Sequence, residues 1–450
     1  MEKETRVRFA PSPTGKVHIG NIRAAIYNWL YARHTGGKFL LRVEDTDLER
    51  STPEAIQVLF ECMKWLGLDW DEEVFYQTKN VSRHLECVEK LLESGHAYKV
   101  EKTSRDGKTG VVTMFRMPKE GTIEFDDIVK GHMAKKAEDI QDFAIVRSDG
   151  SPIFHIANVV DDIDQRVTHI IRGDDHVENT FKHICIFRAL GAEVPRYAHL
   201  SMIVNQQGKP YSKRDGAAFV GEYRDEGYLP EALFNYLLLL GWNPGDDREI
   251  LSREEMVELF DLAKVHVAAA KFDLKKLQWM NGEYIKKIPA AQFRDYLANA
   301  VGAGAAHTVP LRADIADERG RTAWWDYLAG QIQVRTKFLK DAPDAVRCFV
   351  SDDFPVDEKA VEKRLRKPGA KDALLEIAGR FEAVPAGDWK AEKLEAIVKE
   401  LSQGAGMGPW VHPVRVAVSG RGEGIGLFEM LELLGREKTL SRLSRAAAAL

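Results

Sequence analysis

The chain has 450 residues, 44% apolar and 30% charged, and 64 Lys+Arg against 69 Asp+Glu leave a net charge of −5. That length amounts to about three domains at roughly 150 residues each, and the apolar fraction excludes the low-hydrophobicity class of disordered chains. The charge balance excludes binding of nucleic acid by bulk positive charge, so any RNA contact must come from a local basic surface.

The first elements alternate between strand and helix. Val7-Arg8-Phe9 reads as a short buried strand ended by Pro11 and Pro13. Ile22, Ala25, Ile26, Trp29 and Leu30 then follow helical spacing, and Gly36-Gly37 stops that helix. Lys38 to Val43 reads as a second strand. Strand, helix, strand of this length is a βαβ unit, which implies a parallel sheet with ligands at the carboxyl ends of its strands. A second helix is expected after Ser51-Thr52-Pro53-Glu54, with proline in its first turn.

From about residue 100 to 150 the chain is rich in Gly, Lys and Asp, with short strand-like runs at Val111 to Met117 and Phe143 to Val146; it reads as an insertion. The α/β pattern resumes at Thr168-His169-Ile170-Ile171, with a helix near Asn179 to Leu190 and a strand near Leu200 to Val204. A helix starts at Pro230 and is expected to end at Asn243-Pro244-Gly245. The Ala-, Gly-, Pro- and Asp-rich stretch 303–320 reads as a linker or loop, and the patterning beyond it is helical. No internal repeat is evident.

The expected fold is therefore α/β: a Rossmann-type parallel-sheet domain from 1–75 and 170–245, interrupted by an α+β subdomain at 76–169. A helical region at 246–320 and an all-helical domain at 321–450 follow. The four cysteines, Cys62, Cys87, Cys185 and Cys348, stand singly. They make neither a disulfide framework nor a C-x-x-C zinc ligand pair. Met1-Glu2-Lys3-Glu4 lacks the apolar core of a secretory signal. The run Leu237 to Leu240 is far too short to span a bilayer. The expectation is a soluble cytoplasmic protein without a membrane partner, with monomer as the default state.

Four constellations carry chemistry. Arg8-Phe9-Ala10-Pro11-Ser12-Pro13-Thr14-Gly15-Lys16-Val17-His18-Ile19-Gly20-Asn21 ends a strand in a Pro/Gly-rich turn that feeds a helix N-terminus, an anion-binding arrangement. Gly20 admits a ligand close to the backbone, and His18 adds a donor. The upstream glycine of a Walker loop is missing. Arg42-Val43-Glu44-Asp45-Thr46-Asp47-Leu48-Glu49-Arg50 sets carboxylates at the end of the second strand, where an ammonium or a metal would be held if the turn is not merely solvated. Ile170-Ile171-Arg172-Gly173-Asp174-Asp175-His176 again delivers charge at a strand end. Gly208-Lys209-Pro210-Tyr211-Ser212-Lys213-Arg214 is either a solvated basic loop or a loop that neutralises a polyphosphate during transfer.

In this order the four motifs resemble the bacterial-type glutamyl-tRNA synthetases, a family of class I aminoacyl-tRNA synthetases. The resemblance continues through Tyr228-Leu229-Pro230-Glu231-Ala232-Leu233, Leu240-Gly241-Trp242, Val414 to Gly420 and Gly426-Leu427-Phe428-Glu429, and so covers nearly the whole chain. It implies a two-step ligase: Mg-ATP and L-glutamate give glutamyl-adenylate, and the acyl group passes to the 3′ end of tRNA(Glu), releasing pyrophosphate and AMP. No protein nucleophile is needed, only positioning and charge stabilisation.

By motif, the resemblance assigns ATP to His18, Gly20, Asn21, Ser212, Lys213 and Arg214, with His18, Asn21 and Lys213 catalytic. It assigns glutamate to Arg8, Ala10, Ser12, Glu44, Phe154, Asn158, Arg172 and Asp175. Arg8 would grip the side-chain carboxylate, since distinguishing glutamate from glutamine needs a fixed cation. Arg172 would be a second substrate arginine, and Glu44 would hold the α-ammonium. The insertion corresponds to the family's acceptor-stem-binding part and the helical domain to its anticodon-binding part. In the latter, Lys363, Arg364, Arg366 and Lys367, with Lys359 and Lys371 nearby, would meet phosphates or form a solvated basic face. Trp389 and Trp410 would stack on bases or, as is commoner, pack in a core.

Four departures stand out. Asn21 replaces the second histidine of His-Ile-Gly-His and keeps a donor without a charge. Phe154 replaces a tyrosine and removes one pocket hydroxyl. Pro210 replaces a loop lysine. Tyr98 to Met117 has no cysteine, so no zinc is expected where many relatives carry it. Among rivals, glutaminyl-tRNA synthetases build the anticodon region from β-barrels, against the helical patterning here. The short relatives that glutamylate a tRNA base would stop near residue 300. A non-catalytic RNA-binding paralogue is disfavoured because Arg8 and Lys213 are both present.

Overall fold

The computed structural model describes residues 4–13, 15–46, 51–103, 109–302, 312, 314–315, 317–403 and 406–450. Thr14, residues 47–50 of the second motif and most of the expected linker at 303–320 lie outside the described residues. The chain forms two compact units, Met1–Met280 and Asn281–Leu450.

In the first unit β1 (Arg6–Phe9), α1 (Ile19–Thr35) and β2 (Lys38–Val43) form the βαβ unit read from the pattern. The His18 side chain caps α1 by accepting the Gly20 N–H. Gly36 ends the helix in the left-handed region at φ 65°. The next glycine is needed for space, because a Cβ on Gly37 would press into the Thr5 carbonyl. The structure buries α1 beyond the expected stripe: Tyr27 and Asn28 are also covered, and the Asn28 amide donates to Ala24 O and Ile171 O. Then come α2 (Pro53–Trp65), capped by Thr52, β3 (Phe75–Tyr76) and α3 (Val81–Glu93).

The middle of the unit holds β4 (Ala97–Thr103), β5 (Thr109–Phe115), β6 (Thr122–Asp127), β7 (Gly131–Lys136), β8 (Phe143–Val146) and α4 (Phe154–Asp164). The α/β pattern resumes with β9 (His169–Gly173), α5 (Val177–Ala189), β10 (Arg196–Leu200) and β11 (Ile203–Val204). The unit closes with α6 (Val220–Asp225), α7 (Pro230–Leu239), α8 (Arg253–Leu259), β12 (Ala270–Lys271) and α9 (Leu274–Lys286), which runs across the division between the units.

Strands β1, β2 and β3 pair in parallel, as do β9 with β10 and β10 with β6. Thr168 joins the two sets: its N–H donates to Arg6 O at 2.9 Å, and its Oγ1 accepts the Arg6 N–H at 2.8 Å. Charged side chains at the ends of β1, β2 and β9 are thereby gathered along one edge. Val7, Leu40, Leu41, Ile170 and Ile171 are buried beneath it, which fits the continuous apolar runs of a sheet covered on both faces.

Three differences from the sequence reading concern this sheet. The single strand expected at Leu200 to Val204 is two: β10 ends at Leu200, and β11 leaves to pair with β12. Between them the Ser201 carbonyl turns to accept Arg23 Nη2. Helix α7 stops at Leu239 rather than at Asn243, because the Leu240 carbonyl is taken by Arg23 Nη1 at 2.8 Å. The segment expected as an insertion is only partly separate. Strands β4, β5 and β8 make their own antiparallel sheet, but the β6–β7 hairpin adds to β10 of the parallel sheet.

The described residues of the second unit form helices and their connections only: α10 (Ala290–Ala300), α11 (Glu318–Gln333), α12 (Ala342–Val350), α13 (Glu358–Arg364), α14 (Ala370–Glu382), α15 (Ala391–Ser402), α16 (Gly408–Ser419), α17 (Leu427–Leu434) and α18 (Arg436–Ala448). Trp325, Leu374, Ile377, Phe381 and Leu431 are buried in its core. Asp317 caps α11 by accepting the Gly320 N–H. No described helix of the chain is long and apolar enough to cross a membrane.

Candidate active site

A cavity of about 490 Å³ opens at the carboxyl edge of the sheet. β1 delivers Arg8 and Phe9 to it, the following turn Ala10, Pro11 and Ser12, and the start of α1 Gly20 and Asn21, with the cap His18 beside them. Glu44 comes from the end of β2, Phe154 and Asn158 from α4, and Arg172, Gly173 and Asp175 from β9 and the turn after it. The residues given to glutamate by motif therefore all line one cavity, together with His18, Gly20 and Asn21 of the ATP set. Its size suits a small ligand, and its polar groups converge from five separate elements.

The charges in this cavity are desolvated. Arg8 is 4% exposed and Arg172 8%. Arg8 donates from Nε (3.0 Å) and Nη2 (3.5 Å) to the Asp162 carboxylate. Arg172 donates from Nε to His199 Nε2 at 3.3 Å, and from Nη2 to Thr180 Oγ1 at 2.7 Å and to His176 O at 3.3 Å. Among the described residues, neither Nη1 has a hydrogen-bond partner. Burial lowers the Arg172 pKa to about 10, which still leaves it a cation at neutral pH.

Burial drives the Asp162 carboxyl upward, but Arg42 and Arg8 overcome this and hold it below its ordinary range. Arg42 is fully buried and donates to Asp162 Oδ1 (2.7 Å), Gln165 Oε1 (3.0 Å) and Asn158 Oδ1 (2.8 Å). Glu44 is 8% exposed and lies 3.9 Å from Arg42. Burial lifts its pKa despite Arg42, so an incoming ammonium would relieve its desolvation. His18 departs from the sequence reading: its Nδ1 accepts from Gly20 N at 3.1 Å, and the ring also has a hydrogen bond with the Tyr211 backbone. Burial keeps its pKa below the ordinary imidazole value.

The loop residues Ser212, Lys213 and Arg214 do not line the cavity, whereas Pro210 and Tyr211 do. Asp215 explains this, since its Oδ2 accepts both the Ser212 N–H (2.9 Å) and the Ser212 hydroxyl (3.0 Å). Lys213 Nζ rests 4.8 Å over the Phe219 ring, which also meets Lys16 Nζ at 5.2 Å and the His18 ring at 5.8 Å. One aromatic ring thus separates Lys213 from the first turn. Phe154, without the family hydroxyl, packs among His155, His176 and His183 at centroid distances of 5.5, 5.7 and 5.6 Å.

In the second unit, Arg364 and Lys367 line a cavity of about 770 Å³ with Trp410, His412 and the first residues of α14. Lys363 and Lys359 line a separate groove with Arg335 and Arg421. Arg366 is paired with Glu362 at 2.7 Å. Trp389 is buried and donates to Leu431 O at 2.8 Å, so it is a core residue, whereas Trp410 is half-buried at the cavity wall.

Sequence reasoning missed the groups that hold the arginines: Asp162, Asp127, His199 and Thr180. One signal was present. Asp161-Asp162 ends the apolar run Ile156 to Val160 on a buried helix, and charge in that position has to be paired. Among the described residues, no group of three or more His, Cys, Asp or Glu is placed to hold a metal ion.

Comparison with known families places this geometry. The catalytic-domain family described as tRNA synthetases class I (E and Q) matches residues 4–109 and 99–279, and the anticodon-binding-domain family matches residues 274–447. A glutamate–tRNA ligase of Francisella philomiragia is 40% identical, covering 98% of each chain. One of Symbiobacterium thermophilum is 37% identical over 98% of this chain and 99% of its own. Among solved structures, a glutamate tRNA ligase from Elizabethkingia meningosepticum in complex with its amino acid superposes with a TM-score of 0.82 at 28% identity, covering all of both chains. A glutamate-tRNA synthetase from Elizabethkingia anophelis gives 0.80 at 28% identity, covering 99% of this chain and 100% of its own.

Proposed function

The chain belongs to the glutamate–tRNA ligases of the class I tRNA synthetase family, and from that premise we propose that it joins L-glutamate to the 3′ end of tRNA(Glu) at the expense of ATP. The observation that carries the reading is the pair of desolvated guanidinium groups, Arg8 and Arg172, lining one cavity with the buried Glu44 carboxylate. A ligand with two carboxylates and one ammonium complements that set; glutamine, with one carboxylate fewer, leaves a buried cation unmatched.

In the first step a glutamate carboxylate oxygen of the α-carboxyl group attacks the α-phosphorus of Mg-ATP, and the bond to the bridging oxygen breaks to release pyrophosphate. In the second, a terminal ribose hydroxyl of tRNA attacks the acyl carbon, loses its proton, and AMP leaves. Arg8 takes the side-chain carboxylate, Glu44 takes the α-ammonium, and Arg172, Asn158 and Asp175 complete the pocket around them. The N-terminus of α1, with Gly20, Asn21 and the His18 ring, receives phosphate oxygens. Lys213 swings from its rest beside Phe219 to meet the leaving pyrophosphate together with Arg214, and Ser212 exchanges Asp215 for the nucleotide. The segment 76–169 carries the acceptor stem, with 246–320 along the stem. Within 321–450, Arg364, Lys367, Lys363 and Arg366 meet the anticodon arm. We place the enzyme in the cytoplasm as a monomer without a zinc ion.

The test is charging of purified tRNA isoacceptors with labelled glutamate or glutamine, beside ATP–pyrophosphate exchange with and without tRNA. Glutamate-specific charging of tRNA(Glu) is expected. Equal use of glutamine, or adenylate formation with neither amino acid in the presence of tRNA, would refute the assignment.

A further inference from the structure

Arg172 is held by groups that no motif identified. Parallel pairing sets it beside His199, because β9 and β10 are in register at that pair. On the far side of β10, β6 pairs through Asp127 and Tyr197, two residues from His199 on the same face. Three adjacent strands therefore present Asp127, His199 and Arg172 in a row. Asp127 is 3% exposed and His199 fully buried.

The hydrogen bonds define one arrangement of protons. Asp127 Oδ1 accepts the backbone N–H groups of Val129 (3.0 Å), Lys130 (2.9 Å) and His199 (3.2 Å). Its Oδ2 lies 2.6 Å from His199 Nδ1. An ionised carboxylate only accepts, so Nδ1 carries the proton and Nε2 is left as an acceptor. Nε2 faces Arg172 Nε–H at 3.3 Å and the Thr180 hydroxyl at 2.9 Å, whose one proton is shared between Nε2 and His176 O at 3.3 Å. Burial, with Arg172 acting in the same direction, keeps the imidazole below its ordinary pKa against the opposing pull of Asp127, so the ring stays neutral.

We propose that Asp127 and His199 are positioning residues for glutamate: Asp127 fixes the His199 tautomer, and His199 in turn fixes the guanidinium of Arg172 with its Nη1 left for a substrate carboxylate. The inference rests on the assignment of Arg172 to glutamate made above. Neither Asp127 nor His199 is among the residues lining the cavity, so their influence on the substrate passes through the arginine.

The discriminating variant is Asp127→Asn. Its amide oxygen is held by the three backbone N–H groups, which turns the NH₂ toward His199 Nδ1. That donor drives the ring proton to Nε2, where it opposes Arg172 Nε–H. The KM for glutamate is expected to rise by roughly 10- to 100-fold, the scale of a lost hydrogen bond to a charged group, with the KM for ATP unchanged. His199→Ala should do the same. His199→Gln, whose side-chain oxygen reaches the place of Nε2, should restore a glutamate KM within about threefold of the parent enzyme. A merely structural role would not separate the two Michaelis constants, nor favour Gln over Ala. Wild-type glutamate KM in Asp127→Asn or His199→Ala, with Arg172→Ala strongly impaired, overturns the positioning role. Should Asp127→Asn not fold, equal glutamate KM in His199→Gln and His199→Ala overturns it as well. An unimpaired Arg172→Ala instead removes the assignment of Arg172 to substrate, and this inference with it.

Discussion

Replacing Asp162 by asparagine tests whether the glutamate site is built on buried charge. Asp162 is 1% exposed and serves two cations, Arg42 at 2.7 Å and Arg8 at 3.0 Å. Their side chains are 0% and 5% exposed, so solvent screens little of the interaction. Arg42 would keep Gln165 and Asn158 as partners, whereas Arg8 would lose both of its hydrogen bonds to a carboxylate. Removing one member of a buried pair costs about 3–5 kcal/mol. Asparagine still offers one oxygen, so the lower end, about 3 kcal/mol, is expected. At roughly 2 °C per kcal/mol for a unit of this size, the melting transition should fall by about 6 °C.

The pH dependence has a definite sign. The folded pKa of Asp162 is lowered, so its contribution is complete above the unfolded carboxylate value of about 3.9 and is lost as pH falls through the folded pKa. The gap between parent and variant should therefore close in acid. In the exchange assay, kcat/KM for glutamate should drop about 100-fold, a loss of roughly 2.7 kcal/mol, with the ATP dependence unaltered. A variant with parental melting temperature and parental glutamate KM would refute the reasoning, since Arg8 would then need no anchor.

Further outcomes follow from the same site. Glu44 has a raised pKa and faces Arg42, Asn158, Arg8 and Asp162. It pairs with an ammonium only when ionised, so the glutamate KM should climb as pH falls toward that raised value, and Glu44→Gln should be weak and pH-flat in the same titration. Lys213→Ala should lower kcat by about 10²–10³ while the glutamate KM stays constant, as for loss of one group stabilising transition-state charge; an equal effect on KM would place the lysine at the amino acid instead. Gly37→Ala, with its Cβ driven into the Thr5 carbonyl, should cost about 1–3 kcal/mol in urea unfolding without altering substrate affinities.

The strands and helices around the first motif were legible because their cause is local. Leu30 and Ile26 repeat at helical spacing, Gly36 can take φ 65°, and Thr52 caps the helix that follows it. The same holds for Arg8, Glu44 and Arg172, since each ends a strand and is announced by a contiguous motif. The supporting groups obey no such rule. Asp162 reaches Arg8 across 154 residues and Asp127 reaches His199 across 72. No spacing along the chain encodes such pairs; they arise only when the sheet sets strand ends side by side. The β6–β7 hairpin falls in the Gly-, Lys- and Asp-rich stretch that reads as an insertion, yet the carboxylate that fixes His199 sits at the end of β6.

This division has a physical logic. A cation presented to a small ligand must be dry enough to bind strongly, yet a dry cation without a partner is destabilising. The chain resolves this in the same way twice. Arg8 commits Nε and Nη2 to Asp162, Arg172 commits the same two nitrogens to His199, Thr180 and a backbone carbonyl, and each keeps Nη1. The partners differ in charge: Arg8 shares the Asp162 carboxylate with Arg42, whereas His199 leaves Arg172 with its full charge and a lowered pKa. Of the two, Arg172 therefore gains more from an arriving carboxylate, and Arg8 gives up more when its protein anchor is removed. Binding energy is concentrated at the neutral cradle of Arg172 and structural energy at the charged one of Arg8, so substitutions at His199 should show mainly in KM and those at Asp162 in both KM and melting temperature.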